Sequence, residues 1–103
     1  MIPLIEEKHN AIVNLCRKYH VSRLEVLGSA ADDSFDAERS DVDFLVAFSP
    51  GTDLGPWLSH YFDLKGELEQ LFGYKVDLVM PTAMRNPYFI REVNRTRKVV
   101  YAA

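Results

Sequence analysis

Hydrophobic positions along the chain recur at helical spacing in some stretches and alternate in others, and the switches mark the elements. Over residues 4–19, Ile5, Ile12, Val13, Cys16 and Tyr19 fall near one face of a helical repeat, and Pro3 stands where a first turn tolerates a missing N–H. This pattern predicts an amphipathic first helix. Residues 23–27, "RLEVL", alternate as a short strand, and Gly28 and Ser29 interrupt them, with Ser29 placed to cap a short helix through "AADDSF". Residues 41–48, "DVDFLVAF", are rich in branched and aromatic side chains and read as a second, mostly buried strand, ended by the turn residues of "SPGTDLGP".

The helical period returns over residues 57–72, with Trp57, Leu58, Tyr61, Leu64, Leu68, Leu71 and Phe72, and Gly73 is the expected C-terminal cap. The stripe of Trp57, Tyr61 and Leu68 reads as core. Residues 75–80, "KVDLVM", form a third strand. Pro81 and Thr82 turn the chain, residues 86–94 suit a last helix, and residues 98–101 an edge strand. Helices alternating with strands predict an α/β fold, a small mixed sheet packed with helices, in one domain spanning 1–103.

Composition narrows the partners. With 48% hydrophobic and 26% charged residues in 103, the chain has an ordinary globular balance. A net charge of −3 argues against a broad basic surface for direct nucleic-acid binding but leaves a nucleotide open. The single cysteine, Cys16, forms no internal disulfide, which suits a reducing compartment, and the expected location is the cytoplasm. No apolar run is long enough to span a membrane, and "MIPLIEEKHN" carries charge where a signal peptide would be apolar.

The candidate chemistry lies in "LGSAADDSFDAERSDVDFLVAF". Strand side chains alternate between faces, so Asp41 and Asp43 share one face while Val42 and Phe44 take the other. Clustered carboxylates repel unless a cation stands among them, and hard divalent ions such as Mg²⁺ take oxygen ligands from carboxylates and substrate phosphates. Asp77 interrupts the apolar "KVDLVM", where a lone charge is costly unless paired or metal-bound. If the two strands are neighbours, three carboxylates meet, enough for two Mg²⁺ ions that would clamp the oxygens of a nucleotidyl transfer, with Asp77 also accepting a proton. Gly28 permits close backbone approach to phosphates, and Ser29 favours an anion beside it.

Taken singly, Gly-Ser is an ordinary turn and Asp-x-Asp ordinary strand-entry decoration. Their order, with a lone Asp in a later apolar strand, favours the metal site. Arg39, two residues before Asp41, reads first as a solvated loop residue and second as a phosphate contact. His9, His20 and His60 show no ligand spacing for zinc. "RNPYFIREVNRTRK" reads first as a solvated basic helix face and second as a docking surface for an acidic partner or a weak RNA contact, since its aromatics are flanked by arginine.

Gly28, Ser29, Asp41, Asp43 and Asp77, together with "ERSDVDFLVAF", "PGTDLGPW", "GYKVDLV" and the segment "RNPYFIREVNRTRKVVYAA", resemble the minimal nucleotidyltransferase (MNT) family of the DNA polymerase β-like superfamily. The resemblance runs through almost the whole chain. It implies the polymerase β-like fold and Mg²⁺-dependent AMP transfer from ATP, with Asp41, Asp43 and Asp77 as metal ligands and Gly28 and Ser29 at the phosphates. It also implies an antitoxin role in a type VII-like toxin–antitoxin pair, in which the partner is a HEPN-domain ribonuclease toxin modified on a tyrosine hydroxyl. One departure is visible: Asp32 and Asp33 stand where the family commonly has Arg-Gly. It places anions near the expected phosphates and sets up a rival expectation, a catalytically impaired antitoxin that neutralises its toxin by binding alone.

Overall fold

The structure, a computed structural model, describes residues 2–32, 41–49, 54–80 and 86–103, apart from the side chains of Ser29, Asp32 and residues 54–58. Among these residues the elements are α1 (Pro3–Glu7), α2 (His9–Lys18), β1 (Val21–Leu27), α3 (Ser29–Asp32), β2 (Val42–Phe48), α4 (Leu54–Phe72), β3 (Val76–Val79), α5 (Pro87–Thr96) and β4 (Lys98–Ala102). The strands form one mixed sheet in the order β3-β2-β1-β4. β1 runs antiparallel to both β2 and β4, while β2 and β3 are parallel. The parallel pair depends on α4, whose 19 residues return the chain to the end of the sheet where β2 began.

The period-two pattern gives the sheet two unlike faces. Leu24, Val26, Val42, Phe44, Val46, Val76 and Leu78 point into the main core, where they meet Ile5 of α1, Ile12 and Cys16 of α2, and Leu64, Leu68 and Phe72 of α4. Burial pushes the Cys16 thiol up to about 12, so it is a packing group rather than a nucleophile. On the opposite face Leu27 and Leu45 pack against Val93 of α5 in a smaller cluster. Glu25 of β1 is also buried on that side, held between Arg23 Nε at 2.6 Å and Arg97 Nη2 at 2.6 Å. Arg97 follows α5 directly, so this ion pair ties the end of the helix to the sheet.

The expected elements are present with shifted limits. The first helix is two, broken at Lys8, whose φ of −96° and ψ of 10° leave the helical region. The direction of α1 is set elsewhere, by the Ile2 N–H donating to Ala30 C=O at 2.9 Å. β1 starts at Val21, which is buried and pairs with Phe48 across a register shift. α4 begins at Leu54, with Pro56 in its first turn, where no intrahelical N–H bond is lost. Gly73 ends α4 with φ 74°, its N–H donating to Glu69 C=O at 2.8 Å. α5 reaches Thr96, capped by Asn86, whose side chain accepts from the Tyr88 N–H. Ser29 opens α3, so Gly28, not Ser29, takes the capping position. The expected turns at "SPGTDLGP" and at Pro81 and Thr82 fall largely or wholly outside the described residues, as do Asp33, Arg39 and the Trp57 side chain.

Candidate active site

Asp43 lies on β2 directly beside Asp77 on β3, in a register that also pairs Val42 with Val76. Since Val42 and Val76 are in the core, alternation turns both aspartates to the α5 side of the sheet. The Asp43 carboxyl is pushed up to about 6. Burial contributes most, followed by the Asp77 charge, the hydrogen bond with Asp77 and the Asp41 charge, with Lys75 pulling the other way.

Asp41 stands one residue before β2, its side chain 41% exposed and Lys75 Nζ 4.0 Å from its carboxylate. Its charge reaches Asp43, but among the described residues no group of three His, Cys, Asp or Glu side chains closes around one point. The structure therefore brings Asp43 and Asp77 together and leaves Asp41 at the margin.

Gly28 follows β1 with φ 63°, a left-handed conformation that glycine takes without a Cβ clash. A Cβ built there would lie 3.4 Å from Asp43 Oδ2. The Gly28 N–H donates to Thr96 Oγ1 of α5 at 3.0 Å, and Thr96 Oγ1 donates to Glu92 C=O at 2.9 Å. The Ser29 side chain lies outside the described residues.

These groups open onto a cavity of about 390 Å³, lined among others by Gly28, Asp43, Tyr61, Asp77, Phe89 and Thr96. Its size suits a small organic ligand. Tyr61 of α4 donates its hydroxyl to Leu78 C=O at 2.7 Å, and burial followed by the Asp77 charge raises its pKa. Phe89 lines the cavity while remaining 41% exposed, so it stands at the rim. Sequence reasoning placed Tyr61 in the core stripe and missed Phe89 and Thr96 as site residues. Their signal was the spacing of Phe89, Val93 and Thr96, which lie four and then three residues apart on one helical face.

The basic stretch is less free than its composition suggests: Arg95 pairs with Glu92, and Arg97 with Glu25. The histidines also differ from their sequence spacing, since the rings of His20 and His60 come within 5.8 Å.

The donor set fits a hard divalent cation. Asp43 and Asp77 offer adjacent carboxylate oxygens at the floor of a cavity, Asp41 stands nearby, and Mg²⁺ commonly needs only one or two protein carboxylates beside phosphate and water. Among the described residues the cavity lining offers no soft ligand, and Cys16 lies in the core on the other face.

Comparison with known proteins agrees with this arrangement. The model of the nucleotidyltransferase domain family matches residues 10–100. The chain is 36% identical over 89 residues to a Methanocaldococcus jannaschii protein named "Putative protein adenylyltransferase MJ0128", covering 86% of this chain and 84% of that one. A solved structure described as a "putative minimal nucleotidyltransferase" superposes with a TM-score of 0.70 at 32% identity, covering 90% of this chain and 89% of the other. A chain in the complex of a tri-AMPylated Shewanella oneidensis HEPN toxin with its MNT antitoxin shares the fold, with a TM-score of 0.64 at 18% identity, covering 96% of this chain and 73% of that one. Carboxylates paired across a parallel register beside a left-handed glycine turn thus occur in a chain that belongs to the nucleotidyltransferase domain family, homologous to Methanocaldococcus jannaschii proteins named "Putative protein adenylyltransferase".

Proposed function

We propose that this protein transfers AMP from ATP to a tyrosine hydroxyl of a HEPN-type ribonuclease toxin and so acts as its antitoxin. The observation that carries the reading is the Asp43–Asp77 pair at the floor of a cavity whose wall includes Gly28. Asp41, Asp43 and Asp77 would hold Mg²⁺, two ions by the number of carboxylates, and bound there the ions would neutralise the charge that develops on the phosphates. Gly28 and Ser29 form the turn that receives the triphosphate.

The reaction is an in-line displacement. The acceptor oxygen attacks the α-phosphorus, a phosphodiester bond forms, the α–β bridge breaks, and pyrophosphate leaves. Asp77 accepts the hydroxyl proton, a role suited to a carboxylate that stands in the cavity rather than in the core. Asp43 must be ionised to serve as a ligand, and its carboxyl, raised to about 6, is ionised at neutral pH. The cavity admits a protein acceptor at its rim, beside Phe89 and the exposed Tyr88.

A second reading, neutralisation by binding alone, is favoured by Asp32 at the end of α3, where the family resemblance calls for an arginine. Incubation with the toxin partner, ATP and Mg²⁺, followed by intact-mass measurement, separates the two. Transfer adds one AMP mass or a multiple of it to the partner. An unchanged partner mass in a stable complex supports binding alone.

A further inference from the structure

Two polar side chains buried in the described structure have no part in the proposed reaction, Glu25 and Thr96. Glu25 is accounted for by its arginines. Thr96 is 5% exposed, and its bond to the Glu92 carbonyl is a common habit of threonine in helices. Its second bond is not: the same hydroxyl accepts the N–H of Gly28, 68 residues away in the chain.

We propose that Thr96 is a positioning residue for the Gly28 turn, holding through one hydroxyl the backbone that faces Asp43; the inference rests on the nucleotidyltransferase reading above. The hydroxyl proton is committed to Glu92 C=O, so an oxygen lone pair is left aimed at the Gly28 amide, and the direction of the bond is fixed. Gly28 has left-handed backbone and no side chain to anchor it, and a Cβ built on it would stand 3.4 Å from Asp43 Oδ2. The Gly28 carbonyl accepts the Ala31 N–H within the turn, and the Gly28 amide is tied across to α5, which is itself fixed to β1 by Arg97 and Glu25. Thr96 thereby links the helix that lines the cavity to the turn that receives phosphates.

Thr96→Val keeps the shape and removes the acceptor; Thr96→Ser keeps the acceptor and removes the methyl group. Titration calorimetry with ATP and Mg²⁺, and steady-state kinetics with the toxin partner, are expected to show Thr96→Val weaker for nucleotide by about tenfold, the effect of a lost hydrogen bond at the upper end of its usual worth. KM for ATP rises while kcat at saturating ATP changes little, because Asp43 and Asp77 are held by the sheet. Thr96→Ser restores wild-type affinity. Nucleotide affinity unchanged in Thr96→Val, or Ser and Val variants equally impaired, overturns the inference while leaving the proposed function standing. A wild-type chain that binds no nucleotide overturns the proposed function first and this inference with it. Should the Val variant fail to fold, amide exchange of Gly28 in the wild-type protein decides: protection is expected, and exchange at the rate of an open loop overturns the tie.

Discussion

Asp43 and Asp77 lie side by side across the parallel β2–β3 pair, and burial, followed by the Asp77 charge, raises the Asp43 carboxyl to about 6. Two acids that repel without a cation are held together because the core residues around them, Val42, Phe44, Val76 and Leu78, leave the strands no other register. The fold thus holds its two acids in place before any ligand arrives.

This relationship sets a pH dependence. A folded-state value above the unfolded one means that the native state binds the proton more tightly. The resulting stability is fully present below about 3.8 and is lost as pH rises towards about 6. Asp43→Asn removes that loss, so in metal-free buffer the variant is expected to gain stability over wild type at pH 7, by on the order of 1 kcal/mol once solvent screening of a half-buried group is allowed for, and to gain none at pH 3.5. Urea denaturation of both proteins at the two pH values measures the difference.

Metal binding should run the opposite way. The proton on Asp43 competes with a cation, so Mg²⁺-dependent ATP affinity is expected to climb as pH rises through about 6 and to level off above 7. Calorimetry across that range checks it. Affinity independent of pH would mean that Asp43 is not a ligand.

Asp77→Asn leaves a side chain able to hydrogen-bond Asp43 but unable to accept a proton. Transfer to the partner should fall by at least about a hundredfold, the usual worth of a general base, with the fold retained. Intact-mass time courses and circular dichroism report the two quantities separately.

Gly28→Ala introduces a Cβ into a left-handed position 3.4 Å from Asp43 Oδ2. A destabilisation of about 1–2 kcal/mol is expected from the backbone conformation, together with weaker nucleotide binding from the shifted turn. Chemical denaturation and calorimetry test both, and a variant as stable as wild type would show that the turn adjusts freely.

Asp32→Arg bears on the choice between enzyme and binder. Replacing an anion near the proposed phosphates by a cation is expected to tighten ATP binding about tenfold at low salt, equivalent to about 1.4 kcal/mol, and to leave toxin binding unchanged. An unchanged dissociation constant would show that Asp32 does not oppose the nucleotide.

Local facts can be read from the chain: where helical period gives way to alternation, that Asp43 must point away from Phe44, that Gly28 ends a strand, and that Gly73 ends a helix. These follow from backbone geometry within a few residues. Which strands are neighbours, and so which acids meet, comes from the assembled fold. The Asp43–Asp77 contact depends on a 19-residue crossover helix and on core packing against the far face, neither of which is written in the period of either strand. The same holds for Asp41, which shares Asp43's alternation but ends beside Lys75, and for Thr96, one more polar residue on a helix until the fold brings the Gly28 amide to it. Periodicity settles the direction a side chain faces, whereas the partner it finds there is fixed by long-range pairing and packing.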